Sequence, residues 1–276
     1  MGTQSTQQMK TTTQKISFVY LLAVPFAASA LAFIIGHVNL KFYIPFWLLN
    51  ASLMLVATRQ LIGTDDNPFY RTAWYFIIPW VLISIFGGMG PPPETAAAWA
   101  ALATEQVIRY TVLIISGLLT VIGFFRLDTF FAGTKGHIFA RAGTIMVGIA
   151  CPLFVLNMAY WGYFLTDIFC TYSAPGAPVK PDWLKTAADI FIIIRMTEVA
   201  LIYLCTPAFA IALCINKKLS KASSTIYVVC GFLGAMLNLL PITVTGPLAI
   251  ANYLSYIPAF TLLMPYLIAI NLLRKK

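Results

Sequence analysis

An all-α polytopic bundle of transmembrane helices is the fold this sequence predicts, and three observations predict it. The chain is 60% hydrophobic. Only 10% of its 276 residues are charged, whereas a soluble domain carries about 25%. The apolar residues fall in repeated runs of about 20, the length of a helix that crosses a bilayer.

Residues 1–15, MGTQSTQQMKTTTQK, read as a flexible cytoplasmic tail. A single membrane domain follows over residues 16–273, and the chain stops on a basic end, 274–276. The first span is Ile16–Gly36. Its apolar run passes straight through the signal-peptide-like Ala28-Ser29-Ala30, which predicts an uncleaved helix. The second is Phe42–Thr58, followed by a polar loop with Asp65 and Asp66. The third is Thr72–Gly88, closed by GGMGPPPET, which no helix can cross. A short surface helix is expected at Ala96–Thr104. The fourth span is Val107–Phe125, the fifth Ala142–Leu165, the sixth Trp183–Cys214, the seventh Ile226–Val244 and the eighth Leu248–Leu273. Thr245–Pro247 is the short link whose geometry decides whether the last two are separate spans or one re-entrant element.

Basic residues fix an orientation for eight spans. With the N-terminus inside, inner segments hold Lys10, Lys15, Arg59, Arg71, Arg126, Lys135, Arg141, Lys217, Lys218, Lys221, Arg274, Lys275 and Lys276. Outer segments hold only Lys41, Lys180 and Lys185. That asymmetry predicts both termini in the cytoplasm and a cytoplasmic (inner) or plasma membrane as the location. The formal charge of +9 is therefore accounted for by the membrane, with no nucleic-acid motif present. Every span except the fourth contains proline; ordinary packing in membrane helices is one reading, and a kinked bundle around a cavity is the other. Ala23-Val24-Pro25-Phe26 and Ala150-Cys151-Pro152-Leu153 hint at a four-plus-four repeat, but four residues are too short to carry one.

Polar side chains recur near the span midpoints. Asn50, Ser116, Asn157 and Asn238 occupy the second, fourth, fifth and seventh spans, and Arg195 and Glu198 the sixth. Residues at i and i+3 share a helix face, so Arg195 and Glu198 are expected to pair and to face inward. Arg195, Glu198, Asn157, Asn238 and Asn50 are the candidate polar site at the midplane. Purely structural hydrogen bonding between helices is the competing reading. Arg109, about a turn into the fourth span, is expected to snorkel outward; otherwise it adds positive charge to an outward-opening cavity.

Several chemistries have no residues to carry them. His37 and His137 fall at opposite membrane faces, so no histidine-ligated haem is expected. No HExxH, P-loop, GxSxG or GxGxxG occurs, and no CxxC pair joins the five cysteines. Neither catalytic residues, nor a metal site, nor a cofactor is expected. The last spans lack the lysine that retinal would need. Asp128 is the lone acid of the inner loop RLDTFFAGTKGHIFAR. Three function classes remain: a secondary transporter or small-solute permeation protein, a non-catalytic subunit, sensor or assembly factor, and, least favoured, a lipid-modifying enzyme. The bilayer is the expected partner, with a small solute or coupling ion in the first class.

Overall fold

The computed structural model describes residues 12–63, 67–173, 176, 178–241 and 244–274. Among them there is no strand. Asp65, Asp66, Lys10, Lys275, Lys276 and most of the expected tail lie outside the described residues.

The helices follow the apolar runs. α1 (Thr12–Ala30) continues as a π-helical turn, Leu31–Ile35. It begins inside the expected tail, because Thr12 to Lys15 add a helical turn to the first span. α2 spans Leu40–Ile62, capped by the Asn39 side chain, which accepts from the Lys41 N–H at 3.0 Å. The third run is broken into α3 (Pro68–Arg71), α4 (Trp74–Ile83) and α5 (Phe86–Met89). α6 (Ala96–Ala101) precedes α7 (Ala103–Thr129). α8 (His137–Ala159) passes through a second π-helical turn, Tyr160–Phe164, into α9 (Leu165–Tyr172). α10 (Trp183–Ile215), α11 (Lys221–Asn238), α12 (Pro247–Ser255), α13 (Pro258–Thr261) and α14 (Leu263–Arg274) complete the chain.

By length and composition, six helices among the described residues can cross a membrane, and seven if the bent pair after Pro247 is one span. α11 is not among them: it is 18 residues long and opens on the polar stretch KASST. Yet Ile226, Val229, Phe232, Leu233 and Met236 of α11 are exposed, as lipid-facing residues are. The Thr245–Pro247 link does separate α11 from α12. The break inside the last run comes later, at Tyr256-Ile257, where the chain bends by 73°. An X-Pro step disfavours helical geometry at the residue before it, and Ile257 is extended with ψ 119°.

α10 is the hub, packing most extensively against α8 and α11. Small residues make that closeness possible. A Cβ at Gly143 of α8 would stand 2.8 Å from the Phe209 ring. Gly231 of α11 lies against the ring of Pro207, beside the Tyr203 carbonyl. Pro207 has no N–H to bond that carbonyl, which leaves room for α11 to approach. Aromatic rings fill the space between α4, α7 and α10: Phe124 stacks on Phe209 at 4.7 Å and meets Phe76 edge-on at 5.0 Å. The end of the chain is locked to its beginning. Tyr266 donates to the Leu21 carbonyl at 2.6 Å, and Trp80 donates to the Leu262 carbonyl at 3.0 Å.

The α10–α11 contact yields a stability prediction. A Cβ added at Gly231 would lie 2.5 Å from Pro207 Cδ and 2.8 Å from the Tyr203 oxygen, neither of which can swing away. Gly231→Ala should destabilise by about 1–3 kcal/mol, seen as a lowered melting temperature of the detergent-solubilised protein. An unchanged melting temperature would contradict this packing.

Candidate functional site

A cavity of about 370 Å³ opens between the helices at one end of the bundle. Its walls come from the second half of the first, third and fifth runs, and from the first half of the fourth, sixth and eighth. Irregular backbone builds much of it. The first π-helical turn contributes Ala32 and Phe33, the second contributes Trp161, and the Tyr256-Ile257 break contributes its own two residues. π-Helical turns widen a helix locally and recur at functional sites.

A glycine strap shapes one rim. Gly90 has φ +64, and a Cβ there would stand 2.8 Å from the His37 nitrogen, so only glycine fits. The Val38 N–H donates to the Gly88 carbonyl at 2.7 Å. His37 Nε2 and Glu105 Oε2 meet at 3.0 Å across the same rim. Trp99 of α6 is buried and donates to Thr166 Oγ1 at 2.9 Å, stacking on Tyr110 at 6.0 Å. The expected surface helix is thus a short helix anchored inward by one tryptophan.

Charged groups reach into this apolar vault. Arg109 is only 5% exposed. It does not snorkel; one terminal nitrogen donates to the Met89 and Gly90 carbonyls at 3.2 and 2.9 Å, and its carbon lies 5.2 Å from the Phe86 ring centre. The open carbonyls at the end of α5 hold it there. Arg195 sits about 18 Å along α10 from Trp183, at ~1.5 Å per residue. Its guanidinium lies 4.0 Å from the Tyr256 ring centre.

Glu198 is fully buried, and Asn157 Nδ2 donates to its Oε1 at 2.9 Å. Arg195 and Glu198 do not form the ion pair expected from their spacing. Between described residues the ion pairs are His37–Glu105 and Arg141–Asp128. Sharing a helix face does not make two side chains meet. The long arginine extends to the aromatic face of Tyr256, and the short carboxyl turns to α8. Asn157 lines the cavity and Glu198 lies behind it. Asn238, at the end of α11, turns to α10 instead, donating to the Met196 carbonyl at 2.8 Å. Asn50 is elsewhere: it accepts from Tyr20 Oη at 2.7 Å and donates to Ser84 Oγ at 3.2 Å, joining α1, α2 and the end of α4. Ser116 donates to the Pro79 carbonyl at 3.4 Å.

Trp99, Trp161, Tyr253, Tyr256 and Glu94 line the cavity without having been singled out in the sequence. The Ile257-Pro258 step inside an apolar run was the one available signal for the break that places the tyrosines. Among the described residues no three His, Cys, Asp or Glu side chains gather to hold a metal. The opposite end of the bundle is basic and pinned to aromatic rings: Arg126 over Tyr75, Lys218 over Phe69 and Arg274 over Phe18. No protein-family model, curated protein or solved structure matches the chain.

The Asn157–Glu198 bond sets a second prediction. Asn157→Leu removes the donor and leaves a buried carboxyl without a partner, at a cost of about 1–3 kcal/mol. Glu198→Gln keeps an acceptor for Asn157 and should cost less than about 1 kcal/mol. Melting temperatures of the two variants check this. A larger loss for Glu198→Gln than for Asn157→Leu would show that Arg195, not Asn157, is the partner that matters.

Proposed function

We propose that the chain is a solute-handling protein of the cytoplasmic or plasma membrane, a secondary transporter or permeation protein. In this reading it crosses the bilayer eight times, with both termini in the cytoplasm. α11 is the seventh crossing and the bent α12–α14 segment the eighth. The alternation of the cavity walls supports that threading. First, third and fifth runs supply their second halves and the fourth, sixth and eighth their first, as an up-and-down path requires. The thirteen-to-three basic asymmetry then turns the cavity outward. Broken helices around a polar centre are how many secondary transporters build their solute sites.

One observation carries the reading: a cavity at one end of the bundle admits Arg195 and Asn157, and Glu198 lies directly behind. Charged groups are costly at such depth unless they serve a cavity or a partner. Glu198 is the candidate for a coupling proton or cation. A second reading, an outward-facing sensor or complex subunit, draws on the packed Phe76, Phe124 and Phe209, which fill the bundle between the cavity and its other end.

Water access separates the two. Ser29 lines the cavity and is half-buried, so Ser29→Cys places a thiol there with little change in shape. It is made with Cys170→Ser, which removes the exposed native thiol. A membrane-impermeant maleimide should label this cysteine in intact cells. In a transporter it should also label in inside-out vesicles, as the site turns to the cytoplasm. Labelling from outside alone would favour the sensor or subunit. Protection on both sides would contradict the solute-site reading.

A further inference from the structure

The cavity's charge balance and wall chemistry point to a class of ligand. Three charged residues line it: Glu94, Arg109 and Arg195. Glu94 is exposed on the segment that follows Pro91–Pro93, at the mouth. The two arginines are deeper, so the inner cavity is positive. The nearby carboxyls do not offset this by ion pairing: Glu105 is engaged by His37, and Glu198 is bonded by Asn157 behind the wall.

Both guanidinium groups keep unused donor capacity. Arg109 Nε and Arg195 Nε are buried and have no hydrogen-bond partner. Arg109 spends its described hydrogen bonds on two backbone carbonyls, which carry no charge. Arg195 rests on a tyrosine ring. A guanidinium withdrawn from water and left without a counter-ion is costly, and its planar fork matches the geometry of a carboxylate or phosphate. The remaining surface is of the opposite character. Trp80, Trp99, Trp161, Phe86, Tyr110 and Phe260 line the same space. A volume of about 370 Å³ is within the range of small-molecule sites, ~300–1,000 Å³.

We propose that this cavity binds a small amphipathic organic anion, its acidic group held by Arg195 and Arg109 and its apolar body against the aromatic wall. The assignment rests on the solute-site reading and names its substrate class. The anion can come from water, as a free aromatic or short-chain carboxylate, or from the bilayer, as the acidic end of a lipid. The chemistry recognised is the same.

The test uses the full chain in nanodiscs of pure phosphatidylcholine, with 4-iodobenzoate as the probe. Iodine quenches tryptophan fluorescence on contact, and Trp80, Trp99 and Trp161 line the cavity. Saturable quenching is expected, and the neutral isostere 4-iodobenzamide should bind at least about tenfold more weakly, the loss of one charge-assisted contact. Arg195→Gln should weaken 4-iodobenzoate by a similar factor and leave 4-iodobenzamide unchanged. Equal binding of the two probes to the native chain would overturn the proposal, whether or not Arg195→Gln folds. Competition from phosphatidylglycerol added to the discs would assign the anion to the lipid. Undiminished binding in those discs would assign it to a free solute, and either result supports anion recognition. If Ser29→Cys is labelled from outside while 4-iodobenzoate fails to bind, the solute site stands and the anion assignment alone falls. If the thiol is protected on both sides and 4-iodobenzoate fails to bind, both fall.

Discussion

Hydrocarbon offers no hydrogen bonds, so polar side chains in these helices are driven to partners inside the protein. That constraint explains the hub role of α10. It carries Arg195 and Glu198 within one turn, and three neighbours engage this stretch. α8 brings Asn157 to the carboxyl, the break after α12 brings Tyr256 to the guanidinium, and α11 brings Asn238 to the Met196 carbonyl between them. Small residues on α8 and α11 then let these helices approach closely enough for short side chains to reach. The polar groups and the glycine contacts are two parts of one packing solution.

The bundle is asymmetric along its axis. At the cavity end the backbone is irregular: two π-helical turns, a glycine strap and a bent helix pair. At the other end long regular helices converge on stacked phenylalanines, and basic residues rest on aromatic rings. Irregular backbone in a membrane protein persists where it lines a cavity or is buried in protein. The expectation of a kinked bundle around a cavity, drawn from the prolines, corresponds to this end only. Pro25 and Pro152, whose surroundings resemble each other in sequence, both stand before a π-helical turn that forms a cavity wall.

The helices were legible because an apolar run of membrane length has few alternatives, and each expected run contains a helix. The span count was less so. α11 owes its marginal hydropathy to a polar first turn, and the last run hides a bend at Ile257-Pro258. The site was half legible. Intramembrane charge singled out Arg195 and Glu198, and depth singled out Asn157. Partners were not legible, because helix spacing gives the face of a side chain but not its reach. It predicted an ion pair where the structure has a carboxyl on an amide and a guanidinium on a ring. Arg109 shows the same limit: a snorkelling arginine and one held by open carbonyls at a helix end have the same sequence. The aromatic wall was invisible, since tryptophan and tyrosine near helix ends also mark the membrane interface.

Whether the cavity faces outward depends on which way the chain threads, and a native side chain reports on it. Cys170 is exposed on α9, at the end of the fifth run and on the cavity side of the bundle. A membrane-impermeant maleimide applied to intact cells should label the unmodified protein, and the label should vanish in Cys170→Ser. Labelling that appears only after permeabilisation would place this end in the cytoplasm and contradict the account.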